Sequence, residues 1–344
     1  MDFEEIRQEL VKELETDPEN DYILCRLASA TIETRDFEEG LNILQKAVQL
    51  KPSVQTLTNL GYFYLKEGEP TDEGWFLRED KAIQVLEWAI NLNPLSHFTY
   101  SVLGEAYLKT NRNSDALNIL FRAVLIEQTP ANLNNLGVAL FRNGDYAEAA
   151  SRFYQSHYLS DQEDYSFYPY FNYGMTVSKL GKKEEVRAIA AYINDNKDLE
   201  SLLGVSLIDL MELHYENQDY TNCIEIFERA KEHFYIGPAH LGLYLFSLNQ
   251  TGKNAKVKEV YERAIEETRQ SIEEIKEDDE IDPENKDWQV KSKLKDIQGY
   301  NDIYDYVLRG HRPPNTYEPY IESRCYMFGC LRHCNPTYSE SVKV

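Results

Sequence analysis

Large apolar, small and aromatic residues return at fixed offsets along most of this chain, about 34 residues apart. Leu24, Leu27 and Ala28 are followed by Leu44, Ala47 and Pro52. Leu57, Leu60, Gly61 and Tyr64 are followed by Ala82, Leu86, Ala89 and Pro94. Tyr100, Leu103, Gly104 and Tyr107 precede Ala116, Leu120 and Ala123, and Leu133, Leu136, Gly137 and Leu140 precede Ala149 and Phe153. Later units are more divergent: Tyr170, Tyr173 and Gly174 with Val186 and Ala190, then Leu210, Tyr220, Cys223, Phe227 and Ala230, then Leu241, Gly252, Tyr261 and Ala264. Steps of three and four residues place these positions on one face of a helix. Each unit carries two such stripes around a turn, as at Gly144-Asp145, Gly181-Lys182 and Gly252-Lys253. The pattern predicts two antiparallel helices per unit that bury their stripes against each other and against the next unit. A small residue in the first helix lets the second approach, so enlarging Gly137 to Leu is expected to overpack the pair by about 1–3 kcal/mol.

The run Asn135-Leu136-Gly137-Val138-Ala139-Leu140-Phe141-Arg142-Asn143-Gly144-Asp145-Tyr146-Ala147-Glu148-Ala149-Ala150 resembles the first-helix core, turn and second-helix opening of tetratricopeptide repeats. That resemblance implies an all-α fold, a right-handed superhelical α-solenoid of about seven helix hairpins. The units fall at 21–54, 54–96 (with an insertion), 97–130, 130–163, 167–200, 204–237 and 238–271. Residues 1–20 read as an amphipathic capping helix. Residues 272–309 read as an acidic linker and a second capping helix over Lys286–Leu308. The Pro- and Cys-containing segment 310–344 reads as a non-helical tail. Val and Thr never alternate for long, so strands are not expected.

The insertion lies between Glu67 and Lys81 and contains Gly68, Pro70, Gly74 and the pair Trp75-Phe76. Loops longer than their neighbours often carry function. The aromatic pair reads either as a recognition anchor or as a cover over helix ends.

Charge narrows the range of partners. The formal net charge is −23, which argues against nucleic acid and anionic membrane surfaces. Much of the excess falls between Glu266 and Asp287, a stretch that reads as a solvated helix and turn or as a contact for a basic partner. No run is long and apolar enough for a membrane span, and the start lacks the apolar run of a secretory signal. Five cysteines in 344 residues suit a reducing compartment, and cytoplasm is the expected location. The chain contains no Gly-rich phosphate loop, HExxH or GxSxG, and its histidines are scattered, so it is not expected to be an enzyme.

The resemblance also implies a site. In such repeats the first helices line a concave groove. Here one groove column carries Asn59, Asn135 and Asn172, and another carries Lys66, Lys109, Arg142 and Lys179. Tyr62, Phe98, Phe141, Tyr168 and Phe171 supply aromatic groove positions. An amide offers both donor and acceptor, so an asparagine ladder can pair with the main chain of an extended peptide. Three such bonds at about 0.5–1.5 kcal/mol each fall short of the roughly 8 kcal/mol of micromolar binding, which leaves the remainder to the aromatic positions. The chaperone-tail clamp of the family is absent. Asp209, Glu212 and Glu216 make the late groove acidic, so the groove is expected to be basic early and acidic late.

The tail concentrates chemistry. Three of the five cysteines lie in Cys325-Tyr326-Met327-Phe328-Gly329-Cys330-Leu331-Arg332-His333-Cys334. Cys325, Cys330, His333 and Cys334 are candidate zinc ligands at C-x4-C-x2-H-C, a poor match to ordinary structural fingers, and no cofactor is otherwise expected. Free thiols, a disulfide, a pseudo-ligand for this chain's own or a neighbour's groove, and a substrate presented to a partner enzyme all stay open. The leading function is a protein–protein interaction scaffold that takes an extended peptide or helix of a partner protein. A peptide-responsive intracellular regulator, or a carrier with a modifiable or metal-binding tail, are the alternatives. Oligomeric state is not legible.

Overall fold

The structure, a computed structural model, describes residues 2–72, 74–160, 167–196 and 205–342. The chain separates into two compact units: residues 1–165 with 319–344, and residues 166–318. The expected repeat junctions at 163, 200 and 204 lie outside the described residues.

In the first unit, α1 (Phe3–Thr16) buries Leu10 against α2 (Asp21–Glu33). Four antiparallel hairpins follow: α2 with α3 (Phe37–Leu50), α4 (Val54–Lys66) with α5 (Glu79–Asn91), α6 (His97–Lys109) with α7 (Asn113–Ile126), and α8 (Pro130–Arg142) with α9 (Tyr146–Leu159). The second unit repeats the arrangement with α10 (Tyr168–Lys179) on α11 (Lys183–Asn196), α12 (Leu207–Glu216) on α13 (Tyr220–Ala230), and α14 (Pro238–Gln250) on α15 (Asn254–Glu277). A long α16 (Pro283–Leu308) packs on α14 and α15. Both units are α-solenoid in class, built of consecutive helix hairpins.

Local sequence sets the helix ends. Side chains of Asp2, Asn20, Ser53, Ser96, Thr129, Ser206 and Asp282 accept from the first-turn amides of their helices. Ser53 with Thr56 and Ser206 with Asp209 close reciprocal capping boxes. Outside the α4–α5 connection the hairpin turns share one geometry, with a left-handed residue at Arg35, Asn111, Gly144, Gly181, Gln218 or Gly252. The amide after each reaches back to a helix carbonyl, for example Asp145 to Leu140 at 3.0 Å and Asp219 to His214 at 2.9 Å. Glycine is the natural residue here; Arg35 and Gln218 hold the same conformation without it.

The core follows the periodic positions. Leu24, Ala28, Leu44, Leu57, Leu86, Leu103, Leu120, Leu136 and Phe153 are buried in the first unit, and Phe171, Leu210, Cys223, Phe227 and Leu241 in the second. Close approach is visible at Gly61 and Gly137. A methyl group there would lie 2.5 Å from Leu86 and 2.7 Å from Phe153.

The insertion departs from the strand-free expectation. Glu69–Thr71 (β1) and Gly74–Phe76 (β2) form a small antiparallel hairpin. Gly68 and Gly74 adopt positive φ of 86° and 131°, which permits the reversal in a segment too short to form a helical turn pair. Trp75 donates to the Glu67 carbonyl and lies 6.3 Å from the Phe37 ring, while Lys81 and Arg78 pair with Glu69. Trp75 therefore folds back over the helix ends, with Phe76 beside it about half exposed.

The acidic stretch 266–287 occupies the end of α15, the turn 278–282 and the start of α16, where its residues are mostly exposed. Lys276 pairs locally with Glu273, and Lys291, just beyond the stretch, with Asp287. The tail is extended apart from its turns and a four-residue helix, α17 (Tyr338–Ser341).

Candidate functional site

In both units the first helices of the hairpins present polar side chains to the tail. In the first unit Asn59, on α4, makes a two-way amide pair with the Phe328 backbone. Its Nδ2 donates to the carbonyl at 2.9 Å, and its Oδ1 accepts from the amide at 2.7 Å. Asn135, on α8, does the same for Glu322, at 2.7 and 2.8 Å. Asn134 donates to the Tyr320 carbonyl at 2.8 Å. Ser29 accepts from the Leu331 amide at 3.1 Å, and Gln55 from the Tyr338 amide at 2.8 Å. Asn59 and Asn135 are fully buried by this seating.

Aromatic packing adds apolar burial. Phe98 stacks on Phe328 with ring centroids 4.9 Å apart, and Tyr326 meets Phe98 and His97 edge-on. Tyr326, Met327, Phe328 and Cys330 are buried. His97 Nδ1 accepts from the Asn132 side-chain amide at 3.0 Å, and burial holds its pKa below the ordinary histidine value.

In the second unit the tail is held differently. Tyr317 donates its hydroxyl to Asn172 at 2.6 Å and meets the Phe171 ring at 5.5 Å. The Tyr215 hydroxyl donates to the Pro313 carbonyl at 2.7 Å. Arg312 donates to the Tyr215 carbonyl, lies over its ring at 4.8 Å and approaches Glu216 at 3.6 Å.

The basic column is engaged within the protein. Lys66 pairs with Glu105 and also donates to Ser323 of the tail at 3.0 Å. Lys109 approaches the same Glu105 at 3.4 Å, Arg142 donates to the Leu108 carbonyl at 2.7 Å, and Lys179 lies 3.5 Å from Glu216. Burial lowers the Lys66 pKa, and Glu105 opposes that shift. The expected late acidic face is likewise engaged: Asp209 caps its own helix, Glu212 faces His240, and Glu216 pairs with Lys179 and Arg312. Tyr62 is half-buried beside Cys325. Phe141 packs on Tyr146 at 5.1 Å, and Tyr168 opens α10 half-buried.

The tail cysteines do not all converge. The ligand atoms of Cys325, Cys330 and His333 lie within 4.8 Å of one another, with Cys330 Sγ 3.3 Å from His333 Nδ1. Cys334 is exposed and turned away: its backbone is left-handed at φ 50°, and its thiol faces the Leu331 carbonyl at 3.8 Å. It is thus corrected out of the expected four-ligand set, because adjacent side chains on so tight a turn diverge. The Cys330 pKa is lowered to about 5, first by the hydrogen bond from Cys325 and then by His333; the same bond holds the Cys325 thiol protonated. Burial pushes Cys25 and Cys223 up to about 12, which makes them inert. Cys325, Cys330 and His333 line a cavity of about 190 Å³ with Ser29, Glu33, Tyr62 and Glu67. A separate cavity of about 510 Å³ in the second unit is bounded by Phe227, Tyr244, Arg263 and Tyr300.

Ser29, Gln55, Asn134 and Tyr215 hold the tail, and Arg312 within it reaches to Tyr215, without having been singled out from sequence. Asn134 directly precedes a ladder asparagine. The others carry no signal until the path of the tail is known.

Residues 102–166 match the family model of the tetratricopeptide repeat, and helix hairpins of the same kind precede and follow them. That stretch, about a fifth of the chain, carries the tetratricopeptide-repeat signature. Similar solved structures include YrrB, described as a TPR protein with an unusual peptide-binding site, at 17% identity, TM-score 0.44, and coverage of 62% of this chain and 97% of that one. A tetratricopeptide repeat protein from Parabacteroides merdae matches at 14% identity, TM-score 0.46, and coverage of 72% and 93%. The APC/C hetero-tetramer Cut9-Hcn1 matches at 16% identity, TM-score 0.43, and coverage of 74% and 45%. A search of curated proteins found no match. Among the described residues no helix is long and apolar enough to cross a membrane.

Proposed function

We propose that this protein is a protein–protein interaction scaffold whose concave helices bind an extended peptide by its main chain, with its own C-terminal segment as the resident occupant. The observation that carries this reading is the pair of two-way amide clamps, Asn59 on Phe328 and Asn135 on Glu322. A clamp of this kind reads a peptide unit and not a side chain, so a partner segment of different sequence satisfies it equally well. Four such bonds contribute about 2–6 kcal/mol, and burial of Tyr326, Met327 and Phe328 adds about 1.5–3 kcal/mol each. The tether gives the tail an effective concentration on the order of millimolar, so a micromolar competitor enters only when the tail is loosened. The role is that of a regulated, non-enzymatic adaptor, and its thiols suit the reducing cytoplasm.

The test is a labelled peptide of residues 311–342, offered to the full chain and to a chain ending at Gly310. The shortened chain, its helix content checked by circular dichroism, is expected to capture the peptide. The full chain is expected to exclude it, and Asn59→Ala with Asn135→Ala is expected to abolish capture. A folded shortened chain that ignores the peptide overturns the reading.

A second reading has its own support. Trp88, Phe121, Leu125, Tyr154 and Tyr158 stand 46–78% exposed on α5, α7 and α9, the second helices of the hairpins. In that reading the tail is a permanent part of the fold and partners dock on these outer helices. Persistent protection of the Glu322 and Phe328 amides from hydrogen exchange in the presence of a bound partner would favour it.

A further inference from the structure

The tail does more than fill a groove. Between Cys325 and Asn335 it folds into a compact knuckle. The Cys330 amide donates to the Met327 carbonyl at 3.2 Å, closing a turn in which Gly329 has a φ of 70°. The Asn335 amide donates to the Cys330 carbonyl at 3.0 Å, and its side chain donates to the carbonyls of Cys325 and Met327 at 2.9 and 3.0 Å. These bonds hold the backbone on both sides of the cysteine pair. They bring two sulfurs and an imidazole nitrogen into one cluster, all within 4.8 Å.

We propose that Cys325, Cys330 and His333 are a three-ligand site for a zinc-type cation, with the fourth position opening into the cavity bounded by Ser29, Glu33, Tyr62 and Glu67. Two thiolates and one imidazole form a soft donor set that suits zinc and disfavours calcium and magnesium. In a tetrahedral zinc site, bond lengths of about 2.0–2.3 Å put neighbouring ligand atoms about 3.3–3.8 Å apart. The Cys330–His333 edge already has that length at 3.3 Å, and the remaining edges need to close by no more than about 1.5 Å to reach it. On binding, the sulfurs give up their remaining protons to solvent and no electron is transferred. Outer contacts of the kind that orient metal ligands are in place: Asn335 lies 3.5 Å from the Cys325 sulfur, and Tyr62 lines the same cavity. Phe328 sits between the two cysteines, so the metal would also restrain the residue that Asn59 clamps. That consequence, unlike the site itself, rests on the groove reading.

The test uses the full chain, reduced and stripped of metal, titrated with Zn²⁺ by calorimetry and with Co²⁺ by optical spectroscopy. One equivalent is expected to bind, with a thiolate-to-cobalt charge-transfer band and release of protons. Cys325→Ser and Cys330→Ser are each expected to weaken binding more than about a hundredfold, because outer contacts alone are worth about 10–100-fold. Asn335→Ala is expected to fall within that outer range, and Cys334→Ser to leave affinity unchanged. Helix content by circular dichroism confirms that each variant folds. Absence of stoichiometric binding by the folded, reduced chain overturns the proposal. So does binding that survives Cys330→Ser, or binding lost in Cys334→Ser. Amide exchange at Phe328, measured with and without Zn²⁺, reads the coupling to the groove separately. Unchanged exchange with intact metal binding leaves the site standing and removes only its link to the clamp.

Discussion

The two units hold the same tail by different chemistry. In the first, Asn59 and Asn135 engage peptide units in both directions, and aromatic side chains of the tail are buried beside them. In the second, the equivalent Asn172 receives a side-chain hydroxyl, and Tyr215 and Arg312 supply the main-chain bonds. The cause lies in the tail. Pro313 and Pro314 have no amide hydrogen to donate, and the Tyr317 amide already donates to Asn315 at 2.9 Å. An amide clamp needs a free N–H and C=O on one residue, which Pro313, Pro314 and Tyr317 do not offer. The ladder asparagines thus bond tail peptide units at Phe328 and Glu322, and at Asn172 a tail hydroxyl.

Substitutions can test the contrast. Phe328→Ala removes a buried ring from the first unit and is expected to cost about 3–5 kcal/mol of unfolding free energy by denaturant titration. A loss below 1 kcal/mol would mean that the seated tail contributes little to the fold. Asn59→Ala and Asn135→Ala each leave a buried backbone amide and carbonyl unsatisfied, and are expected to cost about 1–3 kcal/mol per group. Tyr317→Phe deletes one hydroxyl bond in the second unit, with an expected loss of about 0.5–1.5 kcal/mol. If it cost as much as the asparagine substitutions, the distinction between the two modes would collapse.

The smallest expected effect is a pH dependence shared by both units. Burial lowers the folded-state pKa of His97 in the first unit and His214 in the second. A depressed folded pKa means that the unfolded chain binds the proton more readily. Stability is therefore full above the ordinary histidine value of about 6.5 and declines as pH falls below it. His97→Gln and His214→Gln should each flatten part of that decline in thermal melts at pH 5–7. An unchanged slope in both would remove these histidines from the account.

Much of the hairpin architecture could be read directly. Leu136, Gly137, Ala149 and Phe153 repeat at helical spacing, and the contacts they make are with near neighbours in sequence. The turns were legible through Gly144, Gly181 and Gly252, less so where Arg35 and Gln218 hold the left-handed position without glycine. The short strand pair at 69–76 was missed because its three-residue strands carry no alternation. The ladder asparagines were visible as a column, but what they grip was not, and the basic column that looked available is paired inside the protein.

The amino-acid order by itself determined the repeated hairpin, its close-packed small positions and its caps, because each is fixed by interactions within one or two units. Tertiary structure alone decided the course of the tail, the fate of the groove and the exclusion of Cys334 from the thiol cluster. Asn59 and Phe328 are 269 residues apart, and no local period links them. The tail follows no repeat of its own, so its place is set by which unsatisfied amides and aromatic surfaces the finished helices present.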